Sequence, residues 1–69
     1  MIRHIDARGL SCPEPLILAT RALRGPGPFE IVVDNPVARE NIVRMLADRY
    51  GLAAAVRESG REIAIRVER

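Results

Sequence analysis

The chain holds one cysteine, Cys12, in 69 residues. A single thiol excludes an internal disulfide, a Cys-x-x-Cys redox pair and a cysteine-built zinc site. Histidine is as scarce: His4 stands alone, and one imidazole with one sulfur cannot cage a metal, so no metal site is predicted. His4 reads as a surface or rim residue of a strand. Lysine is absent, all 11 basic residues being arginine, which removes Schiff-base chemistry on a side-chain amine. Phe29 and Tyr50 are the only aromatics, the arginines are scattered, and the net charge is a modest +2. A base-stacking platform and a basic patch are therefore both missing, and no intrinsic nucleic-acid binding is expected. No apolar run approaches the roughly 20 residues of a membrane span, so no membrane association is expected either. No signal-peptide pattern precedes Arg3, which makes the cytoplasm the predicted compartment. Cofactor motifs, repeats and low-complexity segments are lacking, and no cofactor is predicted.

What is present is the composition of a globular protein, 48% hydrophobic and 29% charged. Residues 1–69 read as one domain, near the size at which a core buries only about 60% of the unfolded chain's surface. Such a chain has room for one core and one site.

The site is predicted at Gly9-Leu10-Ser11-Cys12-Pro13-Glu14-Pro15, where an extended segment turns into a first helix. Proline has a helical φ and no N–H, so it suits a first helical turn. Cys12 is then expected as N-cap with Pro13 opening the helix. Pro15 lacks an N–H, leaving those of Glu14 and Leu16 for the sulfur. The positive end of the helix favours a thiolate, as thiols at helix N-termini ionise below the free value of about 8.5, while Glu14 opposes this. A lone cysteine is also an ordinary small core residue, but N-caps favour Ser, Thr, Asp and Asn, so cysteine in this place calls for a chemical reason. Gly9 supplies either a positive φ or a close backbone approach that aims Cys12, unless it is an ordinary turn glycine.

The pattern Asp6-Ala7-Arg8-Gly9-Leu10-x-Cys12-Pro13-x-Pro15 resembles the Cys-Pro-x-Pro signature of the TusA/SirA-like sulfur-carrier family. The likeness continues through Val33-Asp34-Asn35-Pro36-Val37-Ala38-Arg39-Glu40-Asn41-Ile42, which is similar to the YedF branch, associated with selenium metabolism. Asp34-Asn35-Pro36 departs from the acidic-acidic-Pro form of tRNA-thiolation members, so that pathway is not inferred. The resemblance implies that Cys12 takes sulfane sulfur as a persulfide from a donor protein, a cysteine desulfurase or another sulfurtransferase, and passes it to an acceptor protein. Cys12 would then be the catalytic residue, Gly9, Pro13, Glu14 and Pro15 would shape its site, and Arg8, Leu10, Asp34 and Asn35 would serve partner docking. The residues agree with this chemistry: there is one thiol, no second thiol to expel the sulfur, and no general base beside Cys12 in sequence. Turnover without partners is not expected.

Along the chain, Ile2 to Ala7 reads as a first strand, with Ile5 and Ala7 inward and Arg3 or His4 at the edge. A helix follows over 13–24, burying Leu16, Ala19, Thr20 and Leu23, with Arg21 and Arg24 at its C-terminal end. Gly25-Pro26-Gly27-Pro28 ends it. Phe29 to Val33 reads as a buried central strand, parallel to the first across a helical crossover. Asn35-Pro36 caps a second helix to about Tyr50 that buries Ala38, Ile42, Met45 and Leu46 and stops at Gly51. Asp34 and Asn35 both read as caps. Leu52 to Val56 and Glu62 to Val67 read as a hairpin through Ser59-Gly60, with Ile63, Ile65 and Val67 facing the core and Arg66 and Arg69 on a solvated face. The predicted fold is an α/β (α+β) two-layer sandwich, βαβαββ, with two helices on one face of a four-stranded mixed sheet.

Three functions are compatible with this pattern: a sulfur carrier or its selenium-handling variant, a thiol redox sensor using Cys12, and a regulatory interaction module in which Cys12 is only a cap. Reaction with peroxide rather than sulfur donors marks the second, and indifference to Cys12→Ser marks the third.

Overall fold

The computed structural model describes residues 2–68; Arg69 and its predicted solvated position lie outside the described residues. The elements are β1 (Arg3–Asp6), α1 (Glu14–Arg24), β2 (Phe29–Val33), α2 (Pro36–Tyr50), β3 (Ala55–Ser59) and β4 (Glu62–Val67). They form a four-stranded mixed sheet in the order β1-β2-β4-β3, with β1 and β2 parallel and the other two pairings antiparallel.

Alternation along β2 and β4 decides which face is covered. Phe29, Ile31 and Val33 pair across the sheet with Val67, Ile65 and Ile63, and all six side chains are buried. Ala19, Ala22 and Leu23 of α1 and Ile42, Met45 and Leu46 of α2 complete this core. The two helices therefore share one face of the sheet. Glu30 and Val32 are only half-buried on the other face, so β2 is not the continuously buried strand that its composition suggests. There Glu30 lies 3.3 Å from His4 Nδ1 and forms an ion pair with Arg57 at 3.8 Å.

Four local expectations change. In α1 the buried stripe is Pro15, Ala19, Ala22 and Leu23, while Leu16 and Thr20 sit half-buried at its margin. Arg3 is not a free edge residue: one guanidinium nitrogen donates to the Ala22 carbonyl at 2.9 Å and the Gly27 carbonyl at 3.2 Å, and the group lies 5.6 Å from the Phe29 ring centroid. It thus ties β1 to the end of α1. The third strand starts at Ala55 rather than Leu52, because Leu52 is spent on ending α2. Gly51 has φ 63°, and its N–H bonds the Ala47 carbonyl, the αL ending that needs a left-handed residue, while the Leu52 N–H bonds the Leu46 carbonyl. Leu52 and Ala54 then pack on the core as loop residues. Finally, Ser59 pairs with Glu62, so the hairpin turns on Gly60-Arg61, with Gly60 at φ 61°.

Candidate functional site

The loop between β1 and α1 leaves the sheet at the carboxyl end of its two parallel strands. Gly9 turns it with φ 76°, and nothing lies within 4 Å of where a Cβ would stand. Glycine is thus required here for its backbone conformation, not for a close approach. The Gly9 N–H donates to Asp34 Oδ2 at 2.9 Å. Asp34 follows β2 directly, so the end of one parallel strand anchors the loop that leaves the other. Asp34 is therefore a loop anchor rather than a cap; Asn35 is the cap of α2, its side chain accepting from the Val37 N–H at 2.7 Å.

Cys12 is a free, exposed cysteine one residue ahead of the position predicted for it. The N-cap of α1 is Pro13, with no side-chain cap, and the Cys12–Pro13 peptide is cis. The Glu14 N–H donates to the Ser11 carbonyl at 2.9 Å and the Ile17 N–H to the Pro13 carbonyl at 3.0 Å. The sulfur therefore does not cap the helix: the turn over 11–14 takes the Glu14 N–H that it was expected to accept. Pro15 is buried on the core side, so it packs as well as lacking a donor, while Pro13 and Glu14 are exposed. The sulfur's contact comes from the other helix, where Asn41 Nδ2 stands 4.0 Å from Sγ.

Arg8 is held by two carboxylates. It grips Asp6 in a two-pronged pair, Nε to Oδ1 and Nη2 to Oδ2, each at 2.9 Å, and donates to Glu62 at 2.6 Å. Its backbone N–H also bonds Asp6 Oδ1, at 3.1 Å. The Arg8 side chain, then its backbone N–H, lowers the Asp6 carboxyl to about 2, and the same partner raises the Arg8 guanidinium further above its usual range. The pair fixes the loop's entry to the start of β4. Leu10 packs, half-buried, against the core, and Asp34 and Asn35 are exposed.

Of the residues that the resemblance assigned to the site, the structure joins Gly9 to Asp34 directly. Sequence reasoning missed the contact of Asn41 with Cys12, 29 positions away; an asparagine inside a charged helix carries no local signal of that contact. Among the described residues, no cluster of three or more His, Cys, Asp or Glu could hold a metal ion, and no helix is long and apolar enough to cross a membrane.

A family model described as Sulfurtransferase TusA matches residues 3–69. The crystal structure of a SirA-like protein from Desulfitobacterium hafniense superposes with a TM-score of 0.82 at 32% identity, covering 99% of this chain and 96% of that one. No curated protein gives a significant match.

Proposed function

The chain belongs to the TusA sulfurtransferase family, a family of sulfur carriers, and from that premise we propose that Cys12 carries sulfur as a persulfide between two proteins. The observation that carries this reading is a single free thiol, exposed on a loop whose course is set by Gly9, Asp34 and Arg8. In loading, the Cys12 thiolate attacks the outer sulfur of a donor persulfide. The new S–S bond forms on Sγ as the donor's own S–S bond breaks, and the donor leaves as a thiolate. Discharge repeats the exchange, with an acceptor nucleophile on the outer sulfur and Sγ as the leaving group. No electrons are lost or gained overall and no cofactor is called for. A second thiol in the chain would compete for the outer sulfur and release it as sulfide; this chain has none.

The donor class is a cysteine desulfurase or another sulfurtransferase, and the acceptor is a protein, both met in the cytoplasm, where thiols stay reduced. Gly9, Pro13, Glu14 and Pro15 shape the loop and helix start, and Arg8, Leu10, Asp34 and Asn35 form the surroundings against which partners dock. Because sulfur enters and leaves at the same atom, the protein works as a relay and not as an independently turning-over enzyme. Incubation with a cysteine desulfurase and radiosulfur-labelled cysteine tests this: label should attach to the chain, be released by reductant, and be absent from Cys12→Ser. Label on Cys12→Ser, or none on the parent, contradicts the proposal.

A further inference from the structure

The polar contact to the Cys12 sulfur comes from α2, and no side chain caps the helix that the cysteine precedes. In the first turn of α1 the Glu14 and Ile17 N–H groups are engaged by the Ser11 and Pro13 carbonyls, and Pro15 has no N–H. Asn41 Nδ2 stands 4.0 Å from Sγ, projected there by a helix whose start is set by the Asn35 cap. A carboxamide suits a sulfur that alternates between charged and neutral forms. It offers N–H to a thiolate, offers a carbonyl oxygen to S–H, and bears no charge of its own at any working pH. A contact of this length is at the long end for N–H···S; donors of this kind draw in when the acceptor carries full charge.

We propose that Asn41 is a further catalytic residue of the transfer, its side-chain N–H stabilising negative charge on Sγ both when Cys12 attacks a donor and when it is displaced on discharge. The second half rests on the sulfur-carrier reading; the first concerns the thiol alone. In discharge a deprotonated acceptor nucleophile bonds the outer sulfur, the S–S electron pair moves to Sγ, which departs as a thiolate, and the outer sulfur carries its proton with it to the acceptor. The charge that appears on Sγ does so beside Asn41.

The test compares the parent with Asn41→Leu, Asn41→Asp and Asn41→Gln. One assay follows iodoacetamide alkylation of the free thiol across the neutral and mildly alkaline range. The other loads the protein with inorganic polysulfide and follows thiocyanate released by cyanide, which takes the outer sulfur and leaves Cys12 as thiol. Asn41→Leu should slow both reactions roughly three- to tenfold, the loss of one hydrogen bond of ordinary strength, in keeping with the length of the contact. Asn41→Asp should slow them further and move the alkylation profile to higher pH, since a carboxylate disfavours a second negative charge beside it. Asn41→Gln, which keeps the donor, should retain most of both rates. A merely structural Asn41 would alter melting and leave the pH profile in place. Parental rates and an unmoved profile in folded Asn41→Leu and Asn41→Asp overturn the proposal. Should the parent itself accept no sulfur from any donor, the carrier reading falls, while the alkylation arm still decides what Asn41 does to the thiol.

Discussion

At the scale of single residues, the site is set by short polar contacts that fasten a loop rather than by groups aimed at a substrate. Arg8 links Asp6 and Glu62, and Asp34 holds Gly9. The Asp6 carboxyl, lowered from 3.8 to about 2, binds its proton less readily in the folded chain than in the unfolded one. Its contribution to stability is therefore complete above its unfolded value and is lost as pH falls from about 4 through about 2. Asp6→Asn should melt below the parent at neutral pH, and the gap should close across that acid window in thermal melts followed by circular dichroism. A gap unchanged at pH 2 would mean that Asp6 acts through something other than its charge. That Gly9 turns the chain was legible from its place between an extended segment and a helix, but the choice between positive φ and close approach was not, and the structure decides it for φ. Asn41 was not legible, since its contact depends on how two helices pack.

At the scale of elements, both ends of α2 were legible and the starts of α1 and β3 were not. Asn35-Pro36 and Gly51 bound α2 as their chemistry dictates. The start of α1 is displaced by a turn that closes on Ser11, and the start of β3 by the αL ending of α2, which engages the Leu52 N–H with the Leu46 carbonyl. Both shifts come from backbone N–H groups finding carbonyls that side-chain patterns do not reveal. Pro15 was expected to matter only for the donor that it lacks, yet it is buried in the α1 stripe. Pro15→Ala should cost about 1 kcal/mol in a urea melt, through lost burial and a freer unfolded chain; no loss would mean that its packing contributes nothing. The other end of α1 depends on Arg3. A Cβ on Gly25 would stand 2.6 Å from the Arg3 Nη1 atom, so Gly25→Ala pushes the guanidinium off the Ala22 carbonyl. Arg3 Nε is buried with no hydrogen-bond partner, which offsets part of what the guanidinium contributes. Arg3→Met and Gly25→Ala should therefore each cost about 1 kcal/mol, and the double variant less than their sum, because both remove one contact. Additive costs would show that the two changes act separately.

At the scale of the whole molecule, βαβαββ with helices on one side was legible from periodicity and breakers, but the order β1-β2-β4-β3 was not. Alternation in β4 shows which face is buried, and nothing in it shows which neighbour the hairpin joins. Pairing β4 with β2 places six apolar side chains in facing register under both helices. The parallel β1–β2 pair then carries its two outgoing loops to one end, where Asp34 meets Gly9 and Asn41 meets Cys12. A small rigid body thus holds one thiol outward at that end, with α2 behind it. The central claim is that this thiol is a sulfur carrier, and intact-mass spectrometry tests it most directly. After incubation with a cysteine desulfurase and cysteine, the protein should gain one sulfur atom on Cys12 and lose it to reductant, while Cys12→Ser stays unmodified. An unmodified Cys12 after exposure to sulfur donors, together with ready conversion to a sulfenic acid by hydrogen peroxide, would contradict the account.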